Sequence, residues 1–190
     1  MRRRRVAEDT AALVNIAPMP HRSNDSHDAA TPDAAHRGAE EQARFESLLT
    51  DMFEQRISFN HTLGLRVQSL AMPAPSLRID MRPELVGHFL YGRLHGGVIS
   101  AVLDATAGLA LMVAIGDKHP TDTAEQVLQR FARMGTIDLR VDFLRQGVGR
   151  HFIASAEVTR LGGRVGSTQM RLVNDEGVLI ATGAAAYMLA

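Results

Sequence analysis

From Gly97 to Ile115 the chain runs almost without charge, broken only by Asp104 near the middle, and it enters this stretch through His95-Gly96-Gly97. A helix this apolar has to be covered on nearly every side. A buried carboxylate within it has to be paired, solvated or used, because an isolated charge is expensive in apolar surroundings. Length alone allows a membrane span, since about 20 apolar residues cross a bilayer. Composition argues against one: Gly108, Ser100, Thr106, several alanines and the Asp lie in the run, and neither a stop-transfer cluster nor an aromatic belt frames it. The run reads as the central helix of a soluble domain, with no membrane span.

The cover is legible on both sides of it. Phe45, Leu48, Leu49, Met52 and Phe53 recur at the spacing of an amphipathic helix. Leu65–Leu70 and Leu77–Met81 read as strands separated by the breaker Met72-Pro73-Ala74-Pro75. Beyond the apolar run, Thr123–Met134 reads as a helix that buries Val127, Leu128 and Phe131. Ile137, Leu139, Val141 and Phe143 then alternate with Thr136, Asp138, Arg140 and Asp142, the period of a half-buried strand. Gly147-Val148-Gly149, Leu161-Gly162-Gly163 and Asn174-Asp175-Glu176-Gly177 read as turns into Phe152–Arg160, Arg164–Val173 and Val178–Met188, a meander. The expected class is α+β: an antiparallel curved sheet wrapped around a long central helix.

The chain has 190 residues, with 21 basic and 21 acidic side chains. That balance gives no electrostatic reason to expect a nucleic acid or an anionic membrane as partner. The lack of cysteine excludes a thiol nucleophile, a disulfide framework and a thiolate metal site, and is compatible with a reducing cytoplasm. Residues 1–39, rich in Ala, Asp, Ser, His and Pro without a period, read as a disordered extension ahead of a domain at 40–190. Arg2 to Arg5 are not followed by a proper apolar h-region, so a secretory signal is not expected. His61, His88, His95, His119 and His151 share no ligand-like spacing with carboxylates; neither a metal nor another cofactor is expected.

A helix that starts near Gly96 offers unpaired N–H groups and the positive end of its dipole, suited to a developing oxyanion. Glycine at 96 and 97 lets a carbonyl approach without a Cβ in the way. Asp104 follows Gly97 by seven residues and Ser100 by four, so it shares a helix face with small residues that leave room beside it.

Leu94-His95-Gly96-Gly97-Val98, followed by Leu103-Asp104 and Gly108, resembles the signature of hotdog-fold acyl-CoA thioesterases of the phenylacetate-pathway class. Leu63-Gly64-Leu65 and Thr136-Ile137-Asp138-Leu139 fit the same pattern, and the likeness runs from about Phe45 to Tyr187. It implies a hotdog fold and hydrolysis of acyl-CoA to acid and CoA, as in fatty acid metabolism. In that reading the Gly96 N–H is the oxyanion donor, Asp104 is general base or nucleophile, His95 touches the carbonyl, and the Thr136 hydroxyl orients the carboxylate or water. Gly97 and Ser100 face the substrate. The resemblance also implies a cytoplasmic homodimer, with a tetramer left open, whose sites draw on both subunits. Arg145, Arg150, Arg160 and Arg164 at strand ends offer charge for the CoA phosphates.

Relatives of this kind often carry a polar amide six positions before the His, where this chain has Phe89; water positioning then falls to His88, to Tyr91 or elsewhere. Gly87-His88-Phe89 also resembles hotdog dehydratases, which pair that His with a helix carboxylate, although their prolines are missing and Val102 stands at the expected Glu position. A third reading is a non-catalytic acyl-CoA binding protein. Structural readings stay open too: Asp104 in a local network, His95 as a helix N-terminal residue, Thr136 as an ordinary strand Thr.

Overall fold

The apolar run forms α3, Gly96–Lys118, and the rest of the fold is arranged around it in a computed structural model that describes residues 37–189. The expected extension lies outside the described residues up to position 36. The hydropathy of α3 is that of a membrane span, yet 72% of its most apolar window is buried within the protein. Val102, Leu103, Ala107, Leu109, Leu111 and Met112 are wholly covered, and Thr106 satisfies its hydroxyl on the Val102 carbonyl at 2.6 Å. That bond disposes of the run's one buried hydroxyl.

The cover is an antiparallel six-stranded sheet made of β1 (Arg66–Ser69), β2 (Ser76–Asp80), β5 (Gly135–Phe143), β6 (His151–Leu161), β7 (Val165–Asn174) and β8 (Leu179–Met188), in the order β1-β2-β6-β7-β8-β5. α3 packs on β2, β6 and β7 through Leu77, Ile79, Phe152, Ala154, Ala156, Met170 and Leu172, the inward positions of a period-two pattern. A separate small ladder, β3 (Val86–His88) with β4 (Arg93–Leu94), precedes the helix. A long central helix held in a curved antiparallel sheet is the hotdog arrangement that the resemblance implies.

Two expectations about the strands fail, for identifiable reasons. The segment Gly147-Val148-Gly149 is no hairpin turn: β5 pairs with β8 at one edge, while β6 lies beside β2. Its neighbourhood is committed elsewhere, since Leu144 and Arg145 donate to the Ile180 carbonyl and the Gly147 carbonyl accepts from Leu94. Backbone groups already paired in this way leave no ladder for a hairpin. The alternation of β5 also breaks, because a bulge between Thr136 and Asp138 shifts the register against β8. Ile137, expected inside, is 59% exposed.

The amphipathic segment is longer and more broken than its spacing predicts. α1 (Ala39–Asp51) passes through a π-helical turn, Met52–Arg56, into α2 (Ser58–Leu63). α2 stops at Gly64, whose left-handed φ of 72° is the ordinary glycine helix end. α4 (Ala124–Phe131) begins with a complete capping box between Thr123 and Gln126, packs on α1, and sets Phe131 edge-on to Phe53 at 5.9 Å.

Candidate active site

Asp104 is half-buried on α3, and its carboxylate is held from the sheet. Thr136 Oγ1 donates to Oδ1 at 2.9 Å; the Tyr187 hydroxyl lies 2.5 Å from the same oxygen and 2.8 Å from the Asp104 carbonyl. Thr136 and Tyr187 are direct partners across the β5–β8 ladder, so one rung carries both hydroxyls. Oδ2 has no partner among the described residues. Burial first, and then the bond to Asp104, push the Tyr187 phenol far above its usual range, so it remains a donor. No cation forms an ion pair with Asp104 among the described residues.

The carboxylate lies on the wall of a cavity of about 350 Å³. Phe53, Ile57, Phe131, Met134 and Leu139 make its walls apolar, and Ser100, Asp104, Thr136, Tyr187 and Asn60 supply its polar groups. Ser100 turns its hydroxyl proton to the Gly96 carbonyl at 3.1 Å. Gly108 lies on the same wall, and a Cβ added there meets nothing within 4 Å.

At the start of α3 a second cleft opens, lined by His88, Arg93, His95, Gly96, Phe143 and Arg145 among others. His95 is the N-cap of α3: its Nδ1 accepts the Gly97 N–H at 2.9 Å. A neutral imidazole accepting at Nδ1 carries its proton on Nε2, so this ring offers the cleft a donor. Position 97 must be glycine for this cap, since a Cβ would stand 2.9 Å from Nδ1. The cap occupies the Gly97 N–H, which His95 holds in place of a substrate. The Gly96 N–H pairs with no group among the described residues and is the open donor.

The remaining expected residues scatter. His88 stacks on Phe89 at 5.6 Å and meets the Tyr91 ring at 4.8 Å with the planes tilted by 37°, Arg93 lies over the Tyr91 ring, and His88 belongs to the Gly96 cleft rather than to the cavity of Asp104. Among the described residues no carboxylate lines that cleft, and the buried His88 Nδ1 finds no partner. Phe89 is 86% exposed. Arg145 lines the cleft, whereas Arg150 is engaged by Asp175 at 2.7 Å. Arg160 and Arg164 flank the β6–β7 turn, whose Gly162 and Gly163 share a surface depression with Lys118 and His119. That is the far end of α3, about 33 Å from Gly96 at 1.5 Å per residue, so within one chain they do not join either half of the site.

Sequence reading missed Tyr187 and Asn60. Tyr187 left a faint signal, a lone polar-tipped ring at an inward position after Ala184-Ala185-Ala186. Asn60 left none, because α2 is too short to show a period. Among the described residues no three His, Cys, Asp or Glu side chains gather as a metal site.

The description of the thioesterase superfamily matches residues 91–181, which takes in α3, β5, β6, β7 and the start of β8. The medium/long-chain acyl-CoA thioesterases YigI of Escherichia coli K12 and Salmonella typhimurium are each 37% identical over 142 residues, covering 75% of this chain and 92% of theirs. This chain belongs to the thioesterase superfamily. A crystal structure from Shewanella oneidensis, described as related to that superfamily, is similar at a TM-score of 0.74 and 36% identity over 78% of this chain and 97% of that one. A thioesterase family protein from Silicibacter pomeroyi shares the fold at a TM-score of 0.60 and 24% identity, over 76% of this chain and 96% of the other.

Proposed function

We propose that the protein is a cytoplasmic acyl-CoA thioesterase that hydrolyses medium- or long-chain acyl-CoA to the free acid and CoA. The observation that carries this is the Asp104 carboxylate, pinned through Oδ1 by two hydroxyls, with Oδ2 left over on the wall of an apolar cavity. The named activity of the YigI relatives and the lining of the cavity favour an aliphatic acyl group.

Distance along α3 decides how the two halves are used. Asp104 follows Gly96 by eight residues, about 12 Å of helix rise. An oxyanion donor lies about 3 Å from the oxygen it meets, and an attacking water about 3 to 3.5 Å from the carbon. Asp104 and Gly96 also open onto different clefts, so one carbonyl does not sit squarely against both groups of the same chain. A second copy resolves this. β5 is an edge strand whose Thr136 end touches Asp104 and whose Phe143 end lies against Gly96. Antiparallel pairing of two β5 edges about their middle sets the Thr136 end of one copy beside the Phe143 end of the other. Ile137, Phe143 and Leu144, all largely exposed, are the apolar surface available to that pairing.

The acyl chain then enters the cavity beside Asp104 while its carbonyl meets Gly96 of a second copy. Asp104 takes a proton from water as the water attacks, and negative charge gathers on the carbonyl oxygen. The Gly96 N–H and the His95 Nε2–H receive that charge. Arg93 and Arg145, in the same cleft as these donors, face the phosphates of CoA.

A panel of acyl-CoA esters from acetyl to long-chain and aryl, read by free-thiol release without added metal, tests the proposal. Turnover rising with aliphatic length supports it. No release across the panel, with hydration of trans-enoyl-CoA, replaces it by the dehydratase reading; binding without turnover replaces it by a binding protein.

A further inference from the structure

One polar group on the cavity wall takes no part in holding Asp104. Asn60 is 5% exposed, and its backbone is already engaged, its carbonyl accepting the Leu65 N–H at 3.0 Å. Its side-chain amide pairs with no described residue, yet it lines the same cavity as Asp104, Ser100, Thr136 and Tyr187. The residue is buried as a whole, but its polar atoms are not sealed in the protein: they open onto the cavity, where what fills the cavity can satisfy them.

The local fold is built to deliver this residue. The π-helical turn Met52–Arg56 interrupts the helical register just before α2, and such turns recur at functional sites. Its Glu54 is tied to the Val67 N–H at 2.7 Å, which fixes the turn against β1. α2 then exposes Phe59 at 60% and puts the next residue, Asn60, inside.

We propose that Asn60 holds the attacking water for Asp104. This rests on the thioesterase reading and deepens it. One water O–H bonds to Asn60 Oδ1 and the other to Asp104 Oδ2, so that a lone pair on the water oxygen faces the thioester carbon. As the O–C bond forms, the proton held by Asp104 Oδ2 moves onto that carboxylate and the carbonyl π pair moves onto oxygen. When the tetrahedral species collapses, the C–S bond breaks, the sulfur leaves with the bonding pair, and the proton on Asp104 passes to the thiolate. Acyl-CoA and water become acid and CoA, with Asp104 regenerated as base. An amide suits this place because it accepts a hydrogen bond without charge. A carboxylate there repels Asp104 and raises the pKa of the pair.

The test uses the full-length protein and the acyl-CoA that it hydrolyses best. For Asn60→Ala we expect kcat to fall by at least about tenfold, given what small misplacements of reacting groups cost, with KM within about twofold. Asn60→Asp, nearly isosteric, is expected to move the basic group in the kcat pH profile to higher pH, a change that a merely structural asparagine does not produce. Asn60→Gln is expected to recover part of the loss. Melting temperatures accompany each variant, and if Asn60→Ala fails to fold, Asn60→Asp carries the decision. An unchanged kcat in Asn60→Ala, a rise in KM in place of the fall in kcat, or an unmoved pH profile in Asn60→Asp overturns the inference. These outcomes leave the thioesterase reading standing as long as the wild type hydrolyses acyl-CoA and Asp104→Asn does not. An inactive wild type overturns both.

Discussion

Around Asp104 the walls are phenyl rings and aliphatic chains, and the polar groups are hydroxyls and one amide. Around Gly96, less than half a helix away, stand two arginines, two histidines and a backbone N–H. Among the described residues the first region brings no cation to its carboxylate, which is therefore not tied into an ion pair. The second gathers donors and positive charge, suited to an oxyanion, a thiolate and phosphates. Interleaving the two in one pocket would pair the acid with the arginines and disable both. Separating them along α3 keeps each chemistry intact, and in the proposed dimer the β5 edge would bring them together only when substrate bridges two copies.

The sharpest way to break this comparison is Asp104→Asn. It keeps the shape and the Thr136 and Tyr187 contacts but removes the base, so kcat should fall by about 10² to 10⁴, while the melting temperature holds or rises, because a partly buried charge has been removed. His88→Ala should cost clearly less; the reverse ranking would make His88 the base and the dehydratase chemistry the right one.

Whether the two regions come from different copies is settled by mixing defects. Gly96→Pro removes the N–H at the first helical position, where proline is tolerated, and both single variants should be nearly inactive alone. Coexpressed, they should regain about a quarter of wild-type activity, because half of the randomly formed dimers then hold one intact site. A coexpressed pair as inactive as its parents would mean that each site is built within one chain.

A smaller effect sharpens the character of the apolar region. Gly108→Leu adds a Cβ that meets nothing within 4 Å and extends from the cavity wall, so the melting temperature should stay close to that of wild type. Long acyl chains should lose about tenfold or more in kcat/KM relative to short ones, as burying each methylene is worth about 0.8 kcal/mol. A uniform loss across chain lengths would show that the acyl group lies elsewhere.

The smallest effect concerns pH. The Tyr187 phenol is raised above its usual 10.0, so its neutral form is favoured by folding; the stabilisation it contributes is complete below pH 10 and is lost as pH rises beyond that. Wild type should therefore lose melting temperature more steeply than Tyr187→Phe above pH 10, and thermal scans of the two proteins from pH 7 to 11 would refute this by running parallel.

What the sequence discloses divides along the same line. The Gly96 region is local: cap, glycines and helix start are consecutive, so the string His95-Gly96-Gly97 is enough to announce it. The Asp104 region is assembled from afar. Thr136 could be anticipated only through resemblance, Tyr187 lies 83 residues from its partner, and Asn60 sits in a single helical turn that follows a register break no periodicity shows. Strand alternation misjudged Ile137 because a bulge is invisible to a period of two, and Gly147-Val148-Gly149 looked like a hairpin turn because glycine marks a change of direction without saying which strand comes next. The arginines at 160 and 164 were placed by charge alone, and charge carries no address.

The 12 Å between Gly96 and Asp104 has a consequence for how activity depends on amount. If the site is shared between two copies as proposed, a dissociated chain keeps its core, its cavity and its cap, and is expected to turn over nothing. Specific activity then tracks the fraction of chains that are associated, so on progressive dilution it should fall well before any loss of helical signal. In the proposed dimer the protein's own concentration would then act as its switch.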